Sequence, residues 1–106
     1  MTEQFIVTKA MARQYAEVTG DHNPVHFEGD TPIVHGGLLI GFISKMLAEP
    51  PGTIWMDVDA RFLRPVLVGQ TVSLTTEDYS GGTVIVNGDV LGELVLHAVC
   101  RVRRPK

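Results

Sequence analysis

Three titratable side chains lie close together in the first third of the sequence. Asp21 and His26 flank an Asn23-Pro24 bend, and His35 follows at the start of an apolar stretch. A carboxylate and an imidazole that converge on one small site can take and give a proton near neutral pH. The same residue types also close ordinary turns, so their spacing alone leaves open whether the group is catalytic or structural.

Two glycines directly follow His35. At the start of a helix, Gly36 and Gly37 would let another molecule approach the free N–H groups of the first turn. Together with the positive end of the helix dipole, such amides can stabilise an oxygen that gains negative charge. Two glycines can equally allow a helix to pack closely against a strand. The pair therefore predicts either a site for a polarised carbonyl or a tight packing contact.

Two helices are predicted to hold these residues. Thr8 in an N-cap position and Gly20 as a C-terminal stop predict an amphipathic helix from Lys9 to Thr19. The proline- and glycine-containing segment after it predicts an exposed loop. From Gly36 to Ala48 the sequence is apolar on nearly every face, so we expect this second helix to be surrounded by protein.

Strands should follow the second helix, because the apolar period changes from 3.6 to 2. Alternation predicts a long strand whose buried face carries Ile54, Met56, Val58, Ala60 and Phe62. Further β-prone stretches run from Val72 to Thr76, Thr83 to Val90 and Glu93 to Arg103. The last hairpin turns at either Asn87-Gly88 or Gly92-Glu93, and we favour Gly92. The pattern predicts an α+β domain whose sheet wraps a central helix, with dimerisation covering the apolar surface that remains.

Length, charge and cysteine content exclude several classes of protein. The 106 residues suit one domain, 1–106, and a net charge of −3 makes nucleic acid an unexpected partner. The longest apolar stretch, Ile33 to Ile43, is too short to cross a bilayer, so no membrane association is expected. Residues Met1 to Lys9 do not resemble a signal peptide. Cys100 is the only cysteine, which excludes an internal disulfide and favours a cytoplasmic location.

Three segments resemble the MaoC-like family of (R)-specific enoyl-CoA hydratases and dehydratases. They are YAEVTGDHNPVHF, PIVHGGLL and RFLRPVLVGQTV. The resemblance implies a hot-dog fold, in which an antiparallel sheet wraps a central apolar helix. It also implies a homodimer that binds an acyl-CoA thioester between its subunits.

The resemblance further implies roles for individual residues. Asp21 and His26 would hold and activate a water molecule, and Gly36 N–H would donate to the thioester carbonyl. The resemblance places Ser44 close to this pair, and we assign Ser44, His35 and Asn23 to substrate binding. The reaction would be reversible syn addition of water to a 2-enoyl-CoA, giving an (R)-3-hydroxyacyl-CoA. It would need no metal and no redox cofactor.

Other functions on the same fold remain open at this point. They are a 3-hydroxyacyl-carrier-protein dehydratase of fatty-acid or polyketide synthesis, a non-catalytic acyl-CoA-binding module and a thioesterase. The chain departs from the family pattern between His26 and His35, where only eight residues, FEGDTPIV, intervene. Relatives carry a longer segment that covers the acyl pocket, so the departure bears on acyl-chain specificity.

Overall fold

Five antiparallel strands form one sheet, and two helices separate its first two strands in the sequence. The structure, a computed structural model, describes residues 1–106. Its elements are β1 (Thr2–Ile6), α1 (Lys9–Thr19), α2 (Gly36–Leu47), β2 (Ile54–Phe62), β3 (Thr71–Tyr79), β4 (Thr83–Val90) and β5 (Glu93–Arg103). The strand order is β1-β3-β4-β5-β2, with β1 and β2 at the edges. The predicted α+β class is confirmed.

Helix α1 has the bounds that its capping residues predict. Thr8 is its N-cap, and Thr8 Oγ1 accepts a hydrogen bond from Met11 N at 3.2 Å. Gly20 ends the helix in the left-handed region, with φ 77°, and its N–H donates to Ala16 O. These local signals depend on neighbouring residues only, which explains why the sequence shows them.

Helix α2 packs against the sheet along one face. Leu39, Ile43, Met46 and Leu47 are buried in the same core cluster as the inward residues of β3, β4 and β5. The opposite side is not fully covered, because Gly37 and Gly41 are exposed. The predicted enclosure of α2 on every face is therefore incomplete within one chain.

The predicted buried face of β2 is wrong at three positions. Ile54 is 48% exposed, Met56 59% and Phe62 47%. A bulge between Trp55 and Asp57 interrupts the pairing with β5 and reverses the alternation at Ile54 and Met56. Trp55 consequently packs against the core in place of its two neighbours. Phe62 keeps its predicted side but lies at the end of the strand, beside Gly36.

The final hairpin turns at Leu91-Gly92, which includes the favoured Gly92 but begins one residue before the predicted Gly92-Glu93 pair. Leu91 has φ 52° and Gly92 has φ 80°. Two consecutive positive φ angles are typical of the type I′ turn that matches the twist of paired strands. Neither helix has the length and apolar run that a bilayer crossing requires.

Candidate active site

The loop between α1 and α2 is held by side chains that bond to nearby backbone. Thr19 Oγ1 accepts from Asp21 N at 3.3 Å, and Asp21 Oδ1 accepts from Asn23 N at 3.3 Å. Asn23 Oδ1 in turn accepts from Val25 N at 3.1 Å and caps a short 3₁₀ turn, Pro24–His26. This chain of Asx-type bonds sets the bend that brings Asp21 and His26 together.

Asp21 and His26 face each other across this bend. Asp21 Oδ2 lies 3.6 Å from His26 Nε2, while Oδ1 is engaged by the backbone. The imidazole side chain is 12% exposed and the carboxylate side chain is 47% exposed. The pair is therefore open to solvent on the carboxylate side, where a water molecule can contact both groups.

The hydrogen bond on the far side of the His26 ring determines its neutral tautomer. His26 Nδ1 lies 2.7 Å from the carbonyl oxygen of Ile33. A carbonyl only accepts, so Nδ1 must carry the proton that is donated. In the neutral ring Nε2 is then unprotonated, and its lone pair faces Asp21 Oδ2. His26 is thus oriented to act as a base toward a group beside the carboxylate.

His35 contacts both Asp21 and His26 and stabilises their arrangement. Its ring stacks on the His26 ring with centroids 3.7 Å apart, and it is 1% exposed. His35 Nε2 donates to the carbonyl oxygen of Asp21 at 3.1 Å, while Nδ1 is buried without a partner. The ring therefore positions Asp21 and His26 and is itself enclosed by the chain.

The first turn of α2 presents free amides at the same place. Gly36 N–H and Gly37 N–H take part in none of the hydrogen bonds of the chain. Their positions in the first turn add the positive end of the helix dipole. An oxygen with developing negative charge can therefore be bound here, next to the loop that carries Asp21 and His26.

An apolar groove of about 400 Å³ begins at Gly36. Its walls include Ile33 and Leu39, and its outer side is formed by Phe62 and Leu63 at the end of β2. A β-carbon at position 36 would lie 3.1 Å from Phe62 Cζ, so the ring closely borders the glycine. The groove can hold a short hydrocarbon chain whose carbonyl end reaches the free amides.

Ser44 and Asn23, the other predicted substrate-binding residues, lie farther along α2 and in the loop. Ser44 is eight residues beyond Gly36, which is about 12 Å along the helix axis at the standard rise. It is half-buried on the same side of α2 as the exposed Gly41. The amide oxygen of Asn23 caps the 3₁₀ turn, so this residue shapes the loop.

Asp21, His26 and His35 also form a group of metal-ligand residue types. One ligand atom from each lies within 4.8 Å of the others. Imidazole lone pairs lie in the ring plane, and the two rings are stacked 22° from parallel. Their lone pairs therefore do not converge on one point, as a tetrahedral metal site requires. The arrangement fits proton transfer better than metal binding.

Two parts of the site carry no direct signal in the sequence. The carbonyl of Ile33 fixes the His26 tautomer, but every residue has a carbonyl, so only the fold reveals this contact. The hydroxyl of Tyr15 lies against Gly37, where a β-carbon would overlap it. The sequence shows an aromatic residue on α1 and a glycine in the second position of α2, but neither of them indicates that the two residues touch.

Comparisons with known proteins agree with this geometry. The family described as "MaoC like domain" matches residues 2–90. A 3-hydroxybutyryl-CoA dehydratase of Methylorubrum extorquens is 35% identical over 74 residues, covering 59% of this chain and 47% of the relative. An (R)-specific enoyl-CoA hydratase of Rhodospirillum rubrum is 36% identical over 72 residues, covering 58% and 50%. The chain thus spans about half the length of the curated relatives it matches.

The fold is shared with a solved hydratase. The R-hydratase PhaJ1 from Pseudomonas aeruginosa, in its unliganded form, superposes with a TM-score of 0.88 at 24% sequence identity. The match covers 100% of this chain and 79% of that protein. The predicted hot-dog fold is confirmed.

Proposed function

Because the chain belongs to the family of MaoC-like domains, we propose that it is an (R)-specific enoyl-CoA hydratase. This hydro-lyase would add water reversibly to a 2-enoyl-CoA and give an (R)-3-hydroxyacyl-CoA. The observation that carries the proposal is the pair Asp21 Oδ2 and His26 Nε2, 3.6 Å apart beside the free amides of α2. The names of the two curated relatives support the same reaction class.

The proposed reaction begins with the thioester oxygen bound at Gly36 N–H. This hydrogen bond withdraws electron density from the conjugated alkene and makes its β-carbon electrophilic. A water molecule between Asp21 and His26 attacks the β-carbon while His26 Nε2 accepts one of its protons. The carboxylate stabilises the imidazolium that forms.

The second half of the reaction returns a proton to the α-carbon. The enolate-like oxygen remains at Gly36 N–H while the catalytic pair donates the proton. Water oxygen and proton arrive on the same face of the alkene, because both catalytic groups belong to one loop. Water has then been added across the double bond with no net gain or loss of protons by the enzyme.

The apolar groove would take the acyl chain. Ile33 and Leu39 supply an apolar wall, and the short segment between His26 and His35 leaves the groove open to solvent on one side. We propose that Ser44, which lies farther along α2 and outside the lining of this groove, contributes to substrate binding. Asn23 and His35 would assist by holding the loop in place.

The edge strand β2 supports a homodimer. Its outer edge has no strand partner, and Ile54, Met56, Phe62 and Leu63 at this edge are each about half exposed. Unpaired strand edges with apolar side chains are sites of association. A second subunit at β2 would also wall the groove that begins at Gly36. We further propose a cytoplasmic role in fatty-acid metabolism, consistent with the single unpaired Cys100.

Hydration of crotonyl-CoA tests the function. We expect loss of the enoyl absorbance and, by chiral chromatography, the (R)-3-hydroxy product. Binding of acyl-CoA without turnover would instead identify a non-catalytic module, and release of free thiol would identify a thioesterase. Faster turnover of the carrier-protein ester than of the CoA ester would identify a carrier-protein dehydratase.

A further inference from the structure

The hydroxyl group of Tyr15 lies against the backbone of α2. Tyr15 is on α1, yet a β-carbon at position 37 would overlap Tyr15 Oη and would lie 2.8 Å from its Cζ atom. The hydroxyl therefore fills the space that a side chain at position 37 would need. Glycine at this position is what allows the hydroxyl to reach the helix.

This location places the hydroxyl at the N-terminal end of α2. The Cα–Cβ bonds of a helix tilt toward its N-terminus. An oxygen in the β-carbon position of Gly37 is thus displaced toward the end at which Gly36 N–H and Gly37 N–H point. Neither amide is used within the chain. The hydroxyl and the two amides therefore lie at the same end of α2.

Tyr15 Oη is free to donate to a ligand. The hydrogen bond between Thr19 and Tyr15 uses the backbone carbonyl of Tyr15, which accepts from Thr19 Oγ1 at 2.7 Å, and leaves the Tyr15 hydroxyl unused. Tyr15 is half-buried, and its Oη is not among the fully buried side-chain atoms without a partner, which are His35 Nδ1 and Trp55 Nε1. Gly37 beside it is also exposed.

The ring that carries the hydroxyl is held in place. Its centroid lies 4.7 Å from that of His35, with the planes tilted by 55°. His35 is itself buried and stacked on His26. A donor that is already oriented stabilises developing charge without reorganisation during the reaction.

We propose that the Tyr15 hydroxyl is a second hydrogen-bond donor to the thioester oxygen, alongside the Gly36 amide. This rests on the proposed function, since the ligand is the thioester of that reaction. Tyr15 neither gains nor loses a proton in any step. Because the oxygen carries more negative charge in the enolate-like state than in the substrate, the added hydrogen bond accelerates the chemical step.

Tyr15→Phe tests the proposal directly, because it removes the oxygen and keeps the ring. We expect kcat on crotonyl-CoA to fall about 10- to 100-fold, with KM changed by less than about 3-fold. Tyr79→Phe is the matched control, since the Tyr79 hydroxyl donates to Glu77 on the exposed end of β3. It should keep wild-type kinetics. Wild-type kinetics in Tyr15→Phe would overturn the proposal.

Gly37→Ala separates chemistry from packing. In the wild-type background the added methyl group displaces Tyr15, so both Tm and kcat should fall. Combined with Tyr15→Phe, the methyl group no longer meets the hydroxyl but still lies 2.8 Å from the Cζ position of the ring, so only part of the loss in Tm should be recovered. We expect kcat of the double variant to remain at the level of Tyr15→Phe. Recovery of kcat together with Tm would show that Tyr15 only packs.

A spectroscopic measurement distinguishes this proposal from the proposed function. The carbonyl stretch of a bound, isotope-labelled acyl thioester should move to higher wavenumber in Tyr15→Phe than in the wild type. If the wild type binds the ester without hydrating it, the proposed reaction fails, while this shift still supports the hydrogen bond. An unchanged band refutes the hydrogen bond whether or not turnover occurs, and failure to bind any acyl thioester refutes both proposals.

Discussion

Replacing Asp21 by asparagine removes the charge from the proposed water site and nearly preserves the side-chain shape. The amide oxygen can still accept from Asn23 N, as Asp21 Oδ1 does now. The amide NH₂ takes the place of Oδ2 and can donate to His26 Nε2, which occupies the lone pair needed for catalysis. We therefore expect the fold to persist and the reaction to slow.

The size of the effect follows from the 3.6 Å distance between Asp21 Oδ2 and His26 Nε2. At this separation a carboxylate stabilises an imidazolium by about 1 kcal/mol in bulk water and about 5 kcal/mol at an effective dielectric constant of about 20. The carboxylate side chain is 47% exposed and the imidazole side chain 12% exposed, so the site lies between these limits. Because the amide would also occupy the His26 Nε2 lone pair that accepts the proton, we expect kcat to fall about 10²- to 10³-fold.

The assay is steady-state hydration of crotonyl-CoA by Asp21→Asn, accompanied by thermal unfolding. Asp30→Asn is the matched control, because Asp30 is an exposed carboxylate in the same loop. It should keep wild-type activity. The reasoning is refuted if Asp21→Asn folds normally and retains more than about a third of the wild-type kcat.

Three further outcomes are expected. Gly36→Ala adds a β-carbon 3.1 Å from Phe62 Cζ and crowds the free amide. We therefore expect kcat/KM for crotonyl-CoA to fall by about 10-fold or more while Tm changes little. Unchanged kinetics would argue against thioester binding at this amide. Met56→Arg places a charge on the free edge of β2, so light scattering should show a monomer. Val18→Arg, which changes an exposed residue of α1, is the control and should stay a dimer. A dimeric Met56→Arg protein would count against assembly at β2. Cys100 is fully buried, and burial raises the pKa of its thiol above the ordinary value of 9.0, so a disulfide reagent should label it only after denaturation. Labelling of the native protein at pH 8 would contradict the burial of this thiol. For the same reason the free energy of unfolding should begin to decrease as the pH rises past 9.0, because the thiol of the unfolded chain ionises there before that of the folded chain.

The sequence predicts those features that depend on neighbouring residues. Thr8 and Gly20 mark the ends of α1, whereas turn chemistry alone left the last hairpin open between Asn87-Gly88 and Gly92-Glu93. The bulge near Met56 was not predicted, because it arises from pairing between β2 and β5. An uninterrupted alternation therefore assigned the wrong face to Ile54 and Met56.

The candidate site also combines features that depend on neighbouring residues with features that depend on contacts distant in the sequence. The spacing of Asp21 and His26 around a proline bend indicated a possible pair, and the resemblance to the MaoC-like family was needed to assign it to a site. The stacking of His35 on His26 depends on where α2 begins in space, so the sequence indicated the residue but not its supporting position. The placing of Ser44 near the pair rested on family resemblance, and it stays a prediction.

The shared water molecule can be tested most directly by a crystal structure with a bound (R)-3-hydroxyacyl thioester. The 3-hydroxyl oxygen marks the position of the attacking water, and it should lie within about 3.2 Å of both Asp21 Oδ2 and His26 Nε2. The thioester oxygen should meanwhile accept from Gly36 N–H. A hydroxyl oxygen more than about 5 Å from either side chain, with the thioester away from the start of α2, would contradict the account.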